Sequence, residues 1–297
     1  MAETALALDH VGICARELLP MTDAYEALGF SLSPIALQSG RRTPDGPVEQ
    51  YGSGNRCAFL KHGYIELLAI LQPGLFDNNV SDFTKRYTGM HILAMGMDDA
   101  EGNLARMRRA GIPIPGVAHL QRPVEAGGPI AKFTRLPYPD APEGRLQLIQ
   151  HLTPELVWQE RWMDHANQAE ALTEVLLVSA EPAVSAARLS KLTGLVLEPR
   201  MAGGFVLRFP GGARVAGPQA PVMETRISIL AAEDLPATLP GVAIPDLPFM
   251  AAMFVKTSDG NAAVRRLLGH LPLVALADGA LMVPPDLGGG AALVFHA

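Results

Sequence analysis

The chain has 297 residues, 48% hydrophobic and 18% charged, a composition that builds a sizeable folded core and excludes a disordered or fibrous chain. Its net charge of −6 argues against a nucleic-acid partner, and the pairs Arg41-Arg42, Arg108-Arg109 and Arg265-Arg266 read as solvated faces or helix ends. Cys14 and Cys57 show neither metal-type spacing nor a disulfide framework. The short, Gly- and Pro-broken apolar runs predict no membrane span, and the absence of a basic-then-apolar leader predicts a cytoplasmic protein.

Taken in chain order, a strand is predicted at about Leu6–Cys14, then an amphipathic helix over Leu18–Leu28 stopped by Gly29. Strand-like runs follow near Phe30–Leu37, Arg56–Lys61 and Tyr64–Ile70, giving the order βαβββ. The same order returns with strand His91–Met97, helix Asp98–Arg109, Gly111, and strands near Val117–Arg122, Ile130–Leu136 and Arg145–Leu152. A third copy is read in Leu172–Ser179, Pro182–Leu192, Gly194, Leu195–Arg200, Phe205–Phe209 and Arg226–Leu230. After the Pro-rich stretch Pro236–Pro248 a fourth runs through Met250–Thr257, Asn261–Leu268, Gly269, Leu273–Ala277, Ala280–Val283 and Ala291–His296. The fold class is therefore α+β: four tandem βαβββ units forming two curved-sheet domains, with helices on the outer faces. The division falls near Gln168–Glu170, giving domains 1–168 and 169–297.

Polar residues recur inside these strands. His10 and His91 are 81 residues apart, and so are Glu66 and Gln147. Two imidazoles and a carboxylate brought to one concave wall would hold a divalent cation such as Fe, Mn, Co, Ni or Zn, with open positions for water and substrate. A lone histidine in an apolar strand is otherwise a hydrogen-bonded core residue, and Gln147 supplies only a weak, neutral amide. Asn55, Arg56 and Tyr64 lie near this set as candidate substrate contacts. Arg56 would fork onto a carboxylate, or simply end a strand at the surface. His151, four residues beyond Gln147, is a candidate general base or extra ligand, or a cap on the helix start Thr153-Pro154-Glu155. Trp158 and Trp162 read as packing between the halves, with a pocket wall as the alternative.

The repeats, opened by Leu8-Asp9-His10-Val11 and closed by Tyr64-Ile65-Glu66-Leu67-Leu68, resemble the vicinal oxygen chelate superfamily, which includes glyoxalase I, extradiol dioxygenases and fosfomycin-resistance enzymes. Gln150-His151-Leu152-Thr153-Pro154-Glu155-Leu156-Val157-Trp158, with His165-Ala166-Asn167 downstream, is similar to its bacterial glyoxalase-like domain group over roughly Ala7–Ala171. The resemblance implies metal positions at His10, Glu66, His91 and Gln147. It also implies a lyase or isomerase acting on a small oxygen-rich metabolite through metal chelation. Glyoxalase I carries a catalytic carboxylate where this chain has Gln147, so standard glyoxalase I activity is not expected. An extradiol-type dioxygenase and a non-enzymatic small-molecule-binding protein are the alternatives. Glu174 and Met250 stand where His10 and His91 would recur, so the second pair is expected to be structural, a lid, or the partner surface of a homodimer.

Overall fold

The computed structural model describes residues 3–42, 46–124, 128–211, 217 and 223–297. Alternating apolar residues make β1 (Ala7–Cys14), and α1 (Leu18–Ala27) lays Leu18, Met21 and Tyr25 against it. β2 (Ala36–Arg41), β3 (Val48–Phe59) and β4 (Tyr64–Ile70) complete the first unit. A short α2 (Val80–Arg86) leads to β5 (Gly89–Gly96), α3 (Ala100–Arg109), β6 (Ala118–Pro123), β7 (Ile130–Pro137) and β8 (Arg145–His151). After the single turn α4 (Pro154–Val157) come β9 (Ala169–Ser179), α5 (Pro182–Thr193), β10 (Leu197–Pro199), β11 (Phe205–Phe209) and β12 (Thr225–Ala231). The turn α6 (Leu235–Thr238) precedes β13 (Phe249–Thr257), α7 (Ala262–Leu268), β14 (Val274–Ala275), β15 (Leu281–Val283) and β16 (Ala292–His296).

In each run the first strand pairs in parallel with the last, as β1 does with β4, β5 with β8, β9 with β12 and β13 with β16. First strands then pair antiparallel, β1 with β5 and β9 with β13, so each half is a curved eight-stranded surface. One ladder pair, Met90 with Met250, and the isolated bridge of His62 with Ala171 join the halves. The helix-bearing sides of both halves share one core, in which Leu8, Val11 and Met95 meet Val175, Met253 and Val255. Arg106 of α3 donates to the Lys191 carbonyl of α5 (2.6 Å), and Tyr25 donates to the Gly288 carbonyl (3.1 Å), so side chains of the first half cap backbone carbonyls of the second.

The predicted elements differ from the observed ones in places. β3 is twelve residues long, because Tyr51 and Ser53 are buried within a stretch whose glycines and polar residues read as loop. Gly194 does end α5 in the left-handed region (φ 75°), whereas Gly269 ends α7 with helical φ (−63°).

The two concave faces have different fates. In the second half Leu235, Leu239 and Val242 of the inter-strand segment, with Phe249 at the start of β13, pack onto Leu176, Val178, Leu230, Ala252, Met282 and Val294. The Pro-rich stretch is thus an apolar plug in addition to a linker. Leu239→Ala is expected to lower unfolding free energy in urea by about 2–5 kcal/mol, through the cavity it leaves. It should leave ligand-induced thermal shifts of the first half unchanged.

Candidate functional site

The first half keeps its concave face open around a cavity of about 180 Å³. Its wall includes His10 from β1, Asn55 from β3, Tyr64 and Glu66 from β4, Arg135 from β7, and Arg145 and Gln147 from β8. Of the residues singled out in the sequence, His10, Asn55, Tyr64, Glu66 and Gln147 are therefore brought together. His91, Arg56 and His151 are not on this wall.

Strand register explains His91. Gly12 faces Glu66 across β1 and β4, and Ala94 faces Gln147 across β5 and β8. The first strands are thus related by 82 residues and the last strands by 81. The counterpart of His10 is Ile92, which lines the cavity, and the counterpart of His91 is Asp9. Both of these residues sit in β-bulges, since the register steps from Leu8 to His10 on one strand and from Ile92 to Met90 on the other. A one-residue slip on a pleated strand reverses which face a side chain takes. The His91 ring stacks on Tyr87 (4.0 Å) and Phe83 (5.1 Å) and its Nε2 meets the Tyr87 carbonyl at 2.8 Å. Gly12 makes room for Ile92, because a Cβ there would stand 2.7 Å from the Ile92 Cβ.

The residues that meet do not form the expected two-histidine, one-carboxylate set. Among the described residues no three His, Cys, Asp or Glu side chains converge as metal ligands. Glu66 Oε1 accepts from the Asn55 amide and from Gln38 Nε2 (3.3 Å), and Ile92 fills the fourth position with hydrocarbon. Arg135 and Arg145 line the same wall, and their charge disfavours a cation.

A different constellation is built around Asp9. Its bulged carboxylate is fully buried and accepts from His10 Nδ1 at 2.6 Å and from His151 Nε2 at 3.0 Å. Burial alone would raise this carboxyl. The charge of His151, hydrogen bonds from His10 and His151, and the charge of His10 outweigh burial and hold it at about 2. An ionised carboxylate only accepts, so the proton between the two sits on Nδ1 of His10, and in the neutral ring Nε2 carries the lone pair. Tyr64 stacks on the His10 ring at 4.3 Å and 21°, fixing its plane.

His151 stands behind this pair, ringed by Trp158 (4.6 Å) and Phe133 (5.1 Å). It holds Asp9 and lies off the cavity wall. Trp158 packs on Phe59 and Tyr64, so it braces the His10 wall instead of the contact between halves. Arg56 bonds Glu26 (2.8 Å) and the Ser33 carbonyl (2.8 Å), stapling β3 to α1 instead of meeting a ligand. Burial pushes the Cys14 thiol up to about 12, which fits a packing role.

Sequence reasoning missed Asp9, Gln38, Arg135 and Arg145. The two arginines alternate with apolar neighbours in Phe133-Thr134-Arg135-Leu136 and Arg145-Leu146-Gln147-Leu148, a pattern that places Arg145 on the face of Gln147.

A family model described as a glyoxalase-like domain matches residues 8–193. No curated protein sequence matches the chain. A hypothetical protein from Staphylococcus aureus superposes with a TM-score of 0.60 at 13% identity, covering 98% of this chain and 99% of its own. The Mn(II)-bound glyoxalase from Novosphingobium aromaticivorans gives 0.54 at 11% identity, over 98% and 82%. A mutant of 4-hydroxymandelate synthase from Streptomyces coelicolor gives 0.54 at 13%, over 95% and 78%. At these identities the structural likenesses establish the fold alone. Among the described residues no helix is long and apolar enough to cross a membrane.

Two buried histidines set an acid limit on this half. Burial lowers His62 from 6.5 to about 4, partly opposed by Asp9, and it lowers His91 likewise, partly opposed by the hydrogen bond to Tyr87. Both stay neutral in the fold and charge in the unfolded chain, so their contribution is complete above pH 6.5 and lost as pH falls through about 4. Asp9, depressed from 3.8 to about 2, adds a further loss below that window. The melting temperature is expected to fall between pH 7 and 4, and His91→Phe should flatten part of that fall in a calorimetric pH series.

Proposed function

Because the chain belongs to the glyoxalase-like domain family of the vicinal oxygen chelate superfamily, a superfamily of metal-dependent enzymes, we propose that it is a lyase or isomerase that moves a proton on a small oxygen-rich metabolite, with His10 as the general base. The observation that carries this reading is the Asp9–His10 pair on the wall of the cavity.

The chemistry follows from the parts. Asp9 fixes the tautomer of His10 and stabilises the imidazolium formed when Nε2 takes a proton from substrate. His151 holds the second oxygen of Asp9, so the carboxylate stays aimed at Nδ1. The Tyr64 ring keeps the imidazole from rotating. Negative charge left on a substrate oxygen develops in a cavity whose wall carries guanidinium groups. Gln147, whose Oε1 is buried without a partner, can accept from a substrate hydroxyl. No step in this scheme runs through a metal, since the donors present do not fit one. For the same reason the arrangement gives no support to ring-opening oxygen chemistry of the extradiol type.

The cavity's 180 Å³, little more than the roughly 150 Å³ that takes up benzene, suits a small metabolite.

The test is solvent deuterium exchange. Small 2-oxo and 2-hydroxy carboxylates are incubated in D2O with the protein, and loss of the α-proton is followed by NMR. At least one should exchange, and His10→Gln should slow it by about 10²–10⁴-fold. Asp9→Asn should slow it by at least about 10²-fold while leaving ligand-induced thermal shifts in place. Ligands that shift the melting temperature yet show no exchange with the wild-type protein would overturn the enzyme reading and leave a binding protein.

A further inference from the structure

We infer that the ligand of the first-half cavity is a short dicarboxylate, held by Arg135 and Arg145. This rests on the proposed function only in placing substrate in that cavity.

The charge on the wall is one-sided. Arg41, Arg135 and Arg145 line the cavity, and among the described residues Glu66 is the one carboxylate that does. Glu66 Oε1 already serves two side-chain amides. Among the described residues neither Arg135 nor Arg145 has a carboxylate within ion-pair distance, although Arg56, Arg86, Arg188 and Arg226 all do. Several arginines elsewhere in this fold are thus matched with acids, and the two on the cavity wall are not.

Their remaining contacts hold them in place without neutralising them. Arg145 donates to the Asn78 carbonyl at 2.5 Å and lies over the Phe83 ring at 5.5 Å. Arg135 Nε is buried with no hydrogen-bond partner, which leaves a charged donor unsatisfied. Burial and then the charge of Arg145 lower the proton affinity of Arg135, and a buried guanidinium beside a like charge is costly to hold unless an anion joins it. A planar carboxylate matches the fork geometry of guanidinium, and two forks match two carboxylates. The cavity volume admits roughly the seven to ten heavy atoms of a three- to five-carbon diacid. Gln147 Oε1 and the His10 Nε2 lone pair then remain for a hydroxyl or acidic C–H between the carboxylates.

Titration calorimetry and thermal shift with malonate and succinate, against acetate and monomethyl succinate at matched ionic strength, test this. A diacid should bind at least about tenfold tighter than the half-ester, since one fork is lost. Arg145→Met and Arg135→Met should each weaken diacid binding by about tenfold or more while leaving the unliganded melting temperature no lower, because like-charge repulsion is relieved. His10→Gln should lose proton exchange while losing less diacid affinity than either arginine variant, so loss of exchange and loss of binding are read separately. Equal affinity for diacid and half-ester, or diacid binding that survives both arginine substitutions, would overturn the inference. Diacid binding without exchange would overturn the proposed reaction alone.

Discussion

The first half of this chain is organised by one buried carboxylate. Asp9 has no access to water and stands in the interior of a strand, where an unpaired charge would be costly. Two imidazoles, one from the same strand and one from β8, supply the hydrogen bonds that keep it ionised. The pairing is also geometric. β1 and β8 lie on either side of β5, so the Asp9–His151 contact ties the walls of the cavity together across the central strand. Rings of Tyr64, Phe133 and Trp158 then close around the imidazoles, and the aromatic cluster that looks like ordinary core is the support of the polar centre.

Much of the scaffold was legible in the sequence because strand–helix–glycine order is written in local periodicity and in turn chemistry. The polar wall was legible only in part. The interval of 81 residues between His10 and His91 is real, yet it matches the last strands of the two units and misses the first strands by one. Bulges at Asp9 and His91 are invisible to a period-two reading, and each moves a side chain off the face that alternation assigns. Thr173 and Ala251 stand at the corresponding bulges of the second half, so the bulge belongs to the scaffold and only its occupant varies. Arg135 and Arg145 were passed over for a different reason. An arginine in a strand is read as surface, and nothing local distinguishes one that curvature turns inward.

The occupants of equivalent positions explain how one scaffold serves two ends. At the position of His10 the other units carry Ile92, Glu174 and Ala252. Glu174 is paired with Arg226 and Ser228, so its charge is spent within the fold. Ala252 lies beneath the apolar plug that fills the second concave face. Among the described residues the second concave face is filled by apolar side chains and acts as core.

The first half keeps the room but divides its chemistry unevenly between the two units. The β1 and β4 side supplies the imidazole and a carboxylate occupied by amides, while the β7 and β8 side supplies two unmatched guanidiniums and a free amide oxygen. A symmetric pair of units offers similar donors from both walls, which suits a cation held at the centre. Replacement of one wall's donors by Ile92 and Gln147, with Arg145 close by, turns that symmetric centre into a polarised slot. Across it a proton acceptor faces a pair of anion-binding groups. That separation of base from charge is what an acid–base reaction on an acidic substrate needs, since the carboxylates are held where the base is not and the proton is left where it is.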